Sequence, residues 1–333
     1  MGRGRLWDGP ALFKERGLSP VGKALLKRGG LLIGTMLLVS VLAFTAFSVI
    51  PGDPTGSVLG TEATDEQIAT FRAQNGLDLP VWQRYWDWLT DFVTGDFGDS
   101  YKYDMTVAEL VVTQAKVTLV MAGIAFALIV AISLPLGLIA ARHQGGIVDK
   151  LVTVLSQVAM SVPNFVMGIG LLFLFAVVLS WFRPEYVPIE EDLAGHLRFM
   201  VLPALAVALP KSAMTVKLLR GSILGEMGQD YIRTAYSKGN SQGSALWRHV
   251  LRNAMIPVVT FLAMAIGDIM AGSIVVEQVF GIPGLGRMLI SSIGNRDYPV
   301  VQAIVVLLAA VVVGCNFLAD LLYRIMDPRI DGR

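Results

Sequence analysis

The chain has one cysteine, Cys315, so neither a disulfide framework nor a cysteine-built zinc cluster can form within it. Cys315 lies in an apolar run and reads as a small packing residue. Histidine is almost as scarce: His143, His196 and His249 stand in separate segments without H-E-x-x-H or similar ligand spacing, and no metal site is expected. There is no G-x-x-x-x-G-K-S/T loop to cradle ATP phosphates and no G-x-S-x-G nucleophile motif, so the sequence predicts no cofactor and no catalytic residue. Charge is sparse too. Only 16% of residues are charged and the formal net charge is +1, which gives a nucleic-acid partner no electrostatic motive.

What the chain does have is apolar surface, with 54% hydrophobic residues and a mean hydropathy of +0.61, more than a soluble globule of this size hides. Its solvent is lipid. The runs Leu31 to Ile50, Leu119 to Ala141, Leu151 to Phe182 and Val300 to Ala319 are each long enough to cross the ~30 Å hydrocarbon layer as a helix. Ile256 to Val276 is a fifth span interrupted by Asp268, and Phe199 to Leu219 a sixth, with Lys211 and Lys217 expected to snorkel to its cytoplasmic end. The expected fold is therefore an all-α integral membrane protein with six transmembrane helices. The first run is longer than a signal core and precedes Pro51-Gly52-Asp53-Pro54 rather than a small-residue cleavage site, so it is expected to stay as an uncleaved span.

Orientation follows from the distribution of Lys and Arg. Arg3, Arg5, Lys14, Arg16, Lys23, Lys27 and Arg28 precede the first span, whereas the long segment Pro51 to Lys116 is mostly acidic. The N-terminus is expected inside and that segment outside. Lys217, Arg220, Arg233, Lys238, Arg248 and Arg252 crowd between the fourth and fifth spans, which places this loop and the C-terminus in the cytoplasm. In the outer segment Trp82, Tyr85, Trp86 and Trp88 cluster beside Leu89, Phe92 and Val93. They suit either a helix lying in the lipid headgroup layer or the packed core of a small extracytoplasmic subdomain.

In the basic loop, Leu224, Met227, Tyr231 and Ala235 recur at helical spacing, and Gly239 supplies a stop. Such an amphipathic helix can lie across a partner or pack on its own bundle. Thr234-Ala235 followed by Gly239 resembles the E-A-A-x-x-x-G signature of ABC importer permeases, with Arg233 in place of the glutamate and Thr234 in place of the first alanine. The I-x-L-P that usually follows is absent. His249-Val250-Leu251-Arg252-Asn253-Ala254-Met255-Ile256-Pro257, together with Asp230 to Ala235, resembles the dipeptide, oligopeptide and nickel branch. The likeness extends from Ile50-Pro51-Gly52-Asp53-Pro54 through Gly95-Asp96-Phe97-Gly98-Asp99-Ser100, the run Glu277 to Gly286 and Arg296 to Ala303, to Asp327-Pro328-Arg329-Ile330.

That resemblance implies the type I ABC importer permease fold. It divides the chain into a cytoplasmic extension (1–28), a first span with its outer loop (29–116), a five-helix permease core (117–323) with a coupling loop (220–254), and a tail (324–333). It implies ATPase-coupling roles for Arg233, Thr234, Ala235, Tyr236 and Gly239. The implied partners are a second homologous permease, two cytoplasmic ABC ATPase subunits and an extracytoplasmic solute-binding protein, all in membrane lipid. This chain would form half of a pathway for dipeptides or oligopeptides. Relatives also carry nickel chelates, glutathione and oligosaccharides, and the residues do not choose among these.

Within the spans, Asp268 is the costliest side chain, since a carboxylate in hydrocarbon costs ~3 kcal/mol or more unless it meets water or a partner. It suits a pathway for cationic or zwitterionic substrates, a contact with the partner permease, or a protonated buried acid. Asn164 follows Pro163, whose kink either shapes the pathway or serves packing. Asp320 and Arg324, four apart, are expected to pair. An ion-gradient transporter with Asp268 as its ion site is the rival reading, and it would carry an internal repeat and discontinuous helices that the sequence does not display. A membrane scaffold without transport is a third.

Overall fold

The computed structural model describes residues 20–49, 54–60 and 62–326. Most of the N-terminal extension, residues 50–53 of the first motif, and Asp327-Pro328-Arg329-Ile330 with the rest of the tail lie outside the described residues. Among the described residues there is no strand. The helices are α1 (Pro20–Val49), α2 (Pro54–Val58), α3 (Asp65–Gln74), α4 (Val81–Thr94), α5 (Val107–Arg142), α6 (Ile147–Ser161) and α7 (Asn164–Leu172), which runs on as a π turn to Val178. Then come α8 (Leu193–Met227), α9 (Asp230–Ser237), α10 (Gln242–Ala245), α11 (Leu251–Phe280), α12 (Leu285–Asn295) and α13 (Tyr298–Met326).

Five of these, α1, α5, α8, α11 with its preceding turns, and α13, are long and apolar enough to cross a membrane. The third expected crossing is not one rod: α6 and α7 meet at 104°, so a sixth crossing exists only if this broken pair counts as one. Proline is the cause. Pro163 has no N–H to give the helix, and it forces Val162 into extended backbone at φ −96°, ψ 123°. A discontinuous helix is thus present where the sequence displayed none.

Burial sorts the bundle. Inside α8, 67% of the most apolar stretch is covered, against 17% in α1, so α8 is the axis and α1 a peripheral strut. The α8 helix packs most extensively on α5 and also meets α6, α7 and α11, while α1 lies on α13. Asp320 does not pair with Arg324. It reaches Arg28 of α1 at 2.7 Å instead, an ion pair that fastens the strut to α13. Lys211 likewise does not snorkel to an end: it donates to Asp268 of α11, because two opposite charges at one depth cost less together than apart.

One stripe of the aromatic helix α4 packs on α1 and its neighbouring stripe is exposed. Tyr85 and Trp88 pack on Phe44 of α1, Tyr85 bonds Ser40 at 2.9 Å, and Trp88, Phe92 and Phe97 continue the stack. Trp82, Trp86 and Val93, on the neighbouring stripe, remain exposed.

Candidate coupling and translocation site

The α8 helix ends at Met227, two residues before α9 begins, so the expected stripe from Leu224 to Ala235 does not lie on one helix. Within α9 the inward residues are Ile232 and Ala235, three apart, while Arg233, Thr234, Tyr236 and Gly239 face outward. Ala235 therefore seats α9 on its own chain and offers no surface for close contact with another. Gly239 ends the unit at φ +84°, a left-handed conformation that glycine adopts without a Cβ penalty, and the Asn240 N–H returns to the Ala235 carbonyl at 3.2 Å.

Three side chains fasten α9 to two spans. The Tyr231 hydroxyl donates to the Glu226 carboxylate at the end of α8, and the Asn253 amide of α11 donates to Tyr231 Oη at 3.0 Å. Burial, then the bond to Glu226, raises the Tyr231 phenol above its ordinary pKa and keeps it a donor. Nearby, Arg220 of α8 grips buried Asp149 of α6 through two bonds, at 2.5 and 2.8 Å, and the Gly145 N–H adds a third to Asp149 at 2.8 Å. None of these anchors was chosen from the sequence, where Arg220 counted only as a basic residue. The signal was available in Asp230-Tyr231 and Arg252-Asn253, polar pairs inside the two motifs that flank the helix.

Deeper in the bundle, the half-exposed Asp268 pairs with Lys211. One turn further along α11, Gly272 has no side chain, and a Cβ there would stand 2.9 Å from the Asn164 amide. Asn164, Lys211 and Asp268 thus come from α7, α8 and α11 to the same stretch of α11.

At the opposite end of the bundle lie two buried acids that sequence reasoning passed over. Glu277 is fully buried, and its carboxylate accepts from Thr118 of α5 at 2.7 Å and from the N–H groups of Gly286 and Arg287 at 2.7 and 3.2 Å. Thr118 in turn accepts from the Leu285 N–H at 2.9 Å. The first turn of α12 is capped by a carboxylate borrowed from α11, and the positive end of the helix offsets the buried charge. Gly286 makes this possible, since a Cβ there would overlap the Ile274 backbone. Asp297, also fully buried, accepts from the Ser100 hydroxyl and from the Tyr101 N–H at 3.0 Å. It clamps the segment between α4 and α5 to the start of α13.

Membrane-length helices with a short helix bonded to two of them at one end define an all-α membrane protein, and among the described residues no group of three or more His, Cys, Asp or Glu could hold a metal. The chain belongs to the family described as binding-protein-dependent transport system inner membrane component, whose model matches residues 133–332, and the matching N-terminal model covers residues 22–134. It is 32% identical to a probable peptide ABC transporter permease protein, y4tP, of Sinorhizobium fredii over 93% of this chain and 99% of the relative. Identity to the oligopeptide transport system permease protein AppB of Bacillus subtilis is 34%, over 92% and 98%. To the glutathione transport system permease protein GsiC of Salmonella typhimurium it is 36%, over 90% and 95%. The protein is a permease subunit of an ABC importer, a multi-pass component of the inner membrane that works with other subunits.

Proposed function

We propose that this chain forms half of a pathway for dipeptides or oligopeptides, delivered by an extracytoplasmic binding protein and driven by two cytoplasmic ATPase subunits. The observation that carries the reading is the anchoring of α9 by Glu226, Tyr231 and Asn253. A surface helix bonded to the ends of α8 and α11 can pass a partner's displacement directly to both spans. The exposed Arg233, Thr234, Tyr236 and Gly239 form the ATPase-facing side, and Ala235 holds the helix in place from behind. On this reading α9 and both termini are cytoplasmic, residues 54–106 are outside, and a second homologous permease completes the pathway around the 117–323 core.

Peptide names among the relatives, y4tP and AppB, support the substrate class. Asp268 and Lys211 form the polar point of the path: a peptide ammonium displaces the Lys211 ammonium from Asp268, and a carboxylate meets the freed Lys211. Asn164 supplies a neutral amide beside them. The test is the complex reconstituted in liposomes. Arg233→Glu and Tyr236→Ala are expected to leave the chain inserted while reducing ATPase recovery and separating hydrolysis from peptide uptake. Undiminished ATPase attachment and uptake in both variants would overturn the coupling assignment.

A further inference from the structure

Between α4, the turn after α3, α1 and the start of α13 lies a cleft of about 220 Å³, at the end of the bundle opposite α9. Its walls are aromatic, including Phe44, Trp88 and Tyr101. Its charged groups are one guanidinium, Arg84, and three carboxylates, Asp87, Asp91 and Asp96, so the lining is net negative. Arg84 makes no ion pair among the described residues and rests over the Phe44 ring, 5.9 Å from its centroid. The cleft is not only acidic. Gln302 of α13 lines it with 6% of its surface exposed, and its side-chain amide has no hydrogen-bond partner among the described residues.

The Gln302 amide atoms are free to bond what enters the cleft, and they suit a ligand that supplies both a donor and an acceptor. A peptide unit does both. We infer that this cleft binds the amino-terminal residue of a peptide, with Asp87 and Asp91 facing the ammonium, Gln302 bonding the first peptide unit, and the aromatic wall taking the first side chain. Arg84 holds the next main-chain carbonyl at the open mouth. The volume admits about one residue, so longer peptides extend outward. A lysine side chain from a docking protein would satisfy the carboxylates but not Gln302, because its methylenes carry no hydrogen-bonding group. This inference rests on the proposed peptide pathway, yet it places a peptide site apart from Asp268.

The test uses the full chain in lipid nanodiscs, with the dipeptide Phe-Ala as probe and calorimetry as readout. Saturable binding is expected, weakened at least tenfold by N-acetylation of the probe. Gln302→Leu should weaken Phe-Ala by a similar factor while sparing n-butylamine, a lysine mimic, whereas Asp87→Asn with Asp91→Asn, on the exposed side of α4, should weaken both. Asp268→Asn should leave binding unchanged. No saturable binding, equal binding of the acetylated probe, loss in Asp268→Asn, or butylamine binding as tightly as Phe-Ala would overturn the assignment, the last in favour of a protein side chain. Peptide uptake by the reconstituted complex, measured in parallel, separates failure of this cleft from failure of the transport reading.

Discussion

The two ends of the bundle are held by different chemistry. At the end carrying α12, the buried acids Glu277 and Asp297 bind chiefly backbone N–H groups and hydroxyls. At the end carrying α9, the ties are mostly side chain to side chain, through Glu226, Tyr231 and Asn253 and through Asp149 and Arg220. A carboxylate fitted to the amides of a helix N-terminus has one good geometry, and losing it strands several buried groups at once. The exposed bonds among Glu226, Tyr231 and Asn253 can break and re-form at little cost, while buried Asp149 keeps α6 fixed to α8. The first end is thus built as a frame and the second as a joint, which suits a subunit driven from the α9 side.

The largest effect that would sharpen this contrast is expected at Glu277. Glu277→Leu leaves the Gly286 and Arg287 N–H groups without an acceptor, at ~1–3 kcal/mol each, so a loss of several kcal/mol is expected. The purified chain should melt far earlier in detergent or fail to be recovered. A melting midpoint within about 2 °C of the parent would break the idea of a frame, since even ~1 kcal/mol moves a midpoint of this size of protein by a few degrees.

Asp297→Ala should cost less, because one hydroxyl and one N–H lose their partner, and the damage should stay local. Faster hydrogen exchange confined to the backbone around Tyr101 is the expected result, with α9 and its neighbours unchanged. Spread of the effect to the α9 end would mean that the two ends are not independent.

At the joint, Tyr231→Phe removes one hydroxyl that donates to Glu226 and accepts from Asn253. The expected stability loss is only ~1 kcal/mol. In the reconstituted importer the same change should raise the ATP hydrolysed per peptide taken up. An unchanged ratio would reduce the Tyr231 bonds to packing.

How far the sequence spoke depends on the kind of residue. Long apolar runs announced the spans, because lipid leaves little choice of residue or backbone. The break at Pro163 was visible only as a kink, since proline says that a helix is interrupted but not by what angle. Glu277 was missed for a physical reason: it follows the last apolar residue of the fifth run and reads as a polar end, whereas α11 continues past it to Phe280. Its acceptor role depends on Thr118 and Gly286, far apart in sequence. Asp268 was legible as an anomaly, but its partner was not, because Lys211 stands 57 positions away. In α9 the outward face was half legible: helical spacing alone could not show that the chain turns at Gly228, which moves Ala235 inward and Tyr231 onto Glu226.

The smallest expected effect is a titration at the frame end. Tyr101, between α4 and α5, is pushed up to about 12, first by burial, with Arg84 opposing the rise and Asp297 and Tyr298 adding to it. A phenol whose folded pKa is raised favours the folded state at pH below its unfolded value near 10, and that contribution fades as pH climbs towards about 12. The difference in ultraviolet absorbance between the parent and Tyr101→Phe should therefore stay flat until well above 10. In an Asp297→Ala background the same difference should appear at lower pH, because a neighbouring negative charge is gone and the clamp no longer buries the ring. In an Arg84→Met background it should appear later, since the opposing charge is removed. Midpoints that do not move in opposite directions in the two backgrounds would mean that Tyr101 senses neither group, and that the Asp297 clamp does not control the burial of the segment between α4 and α5.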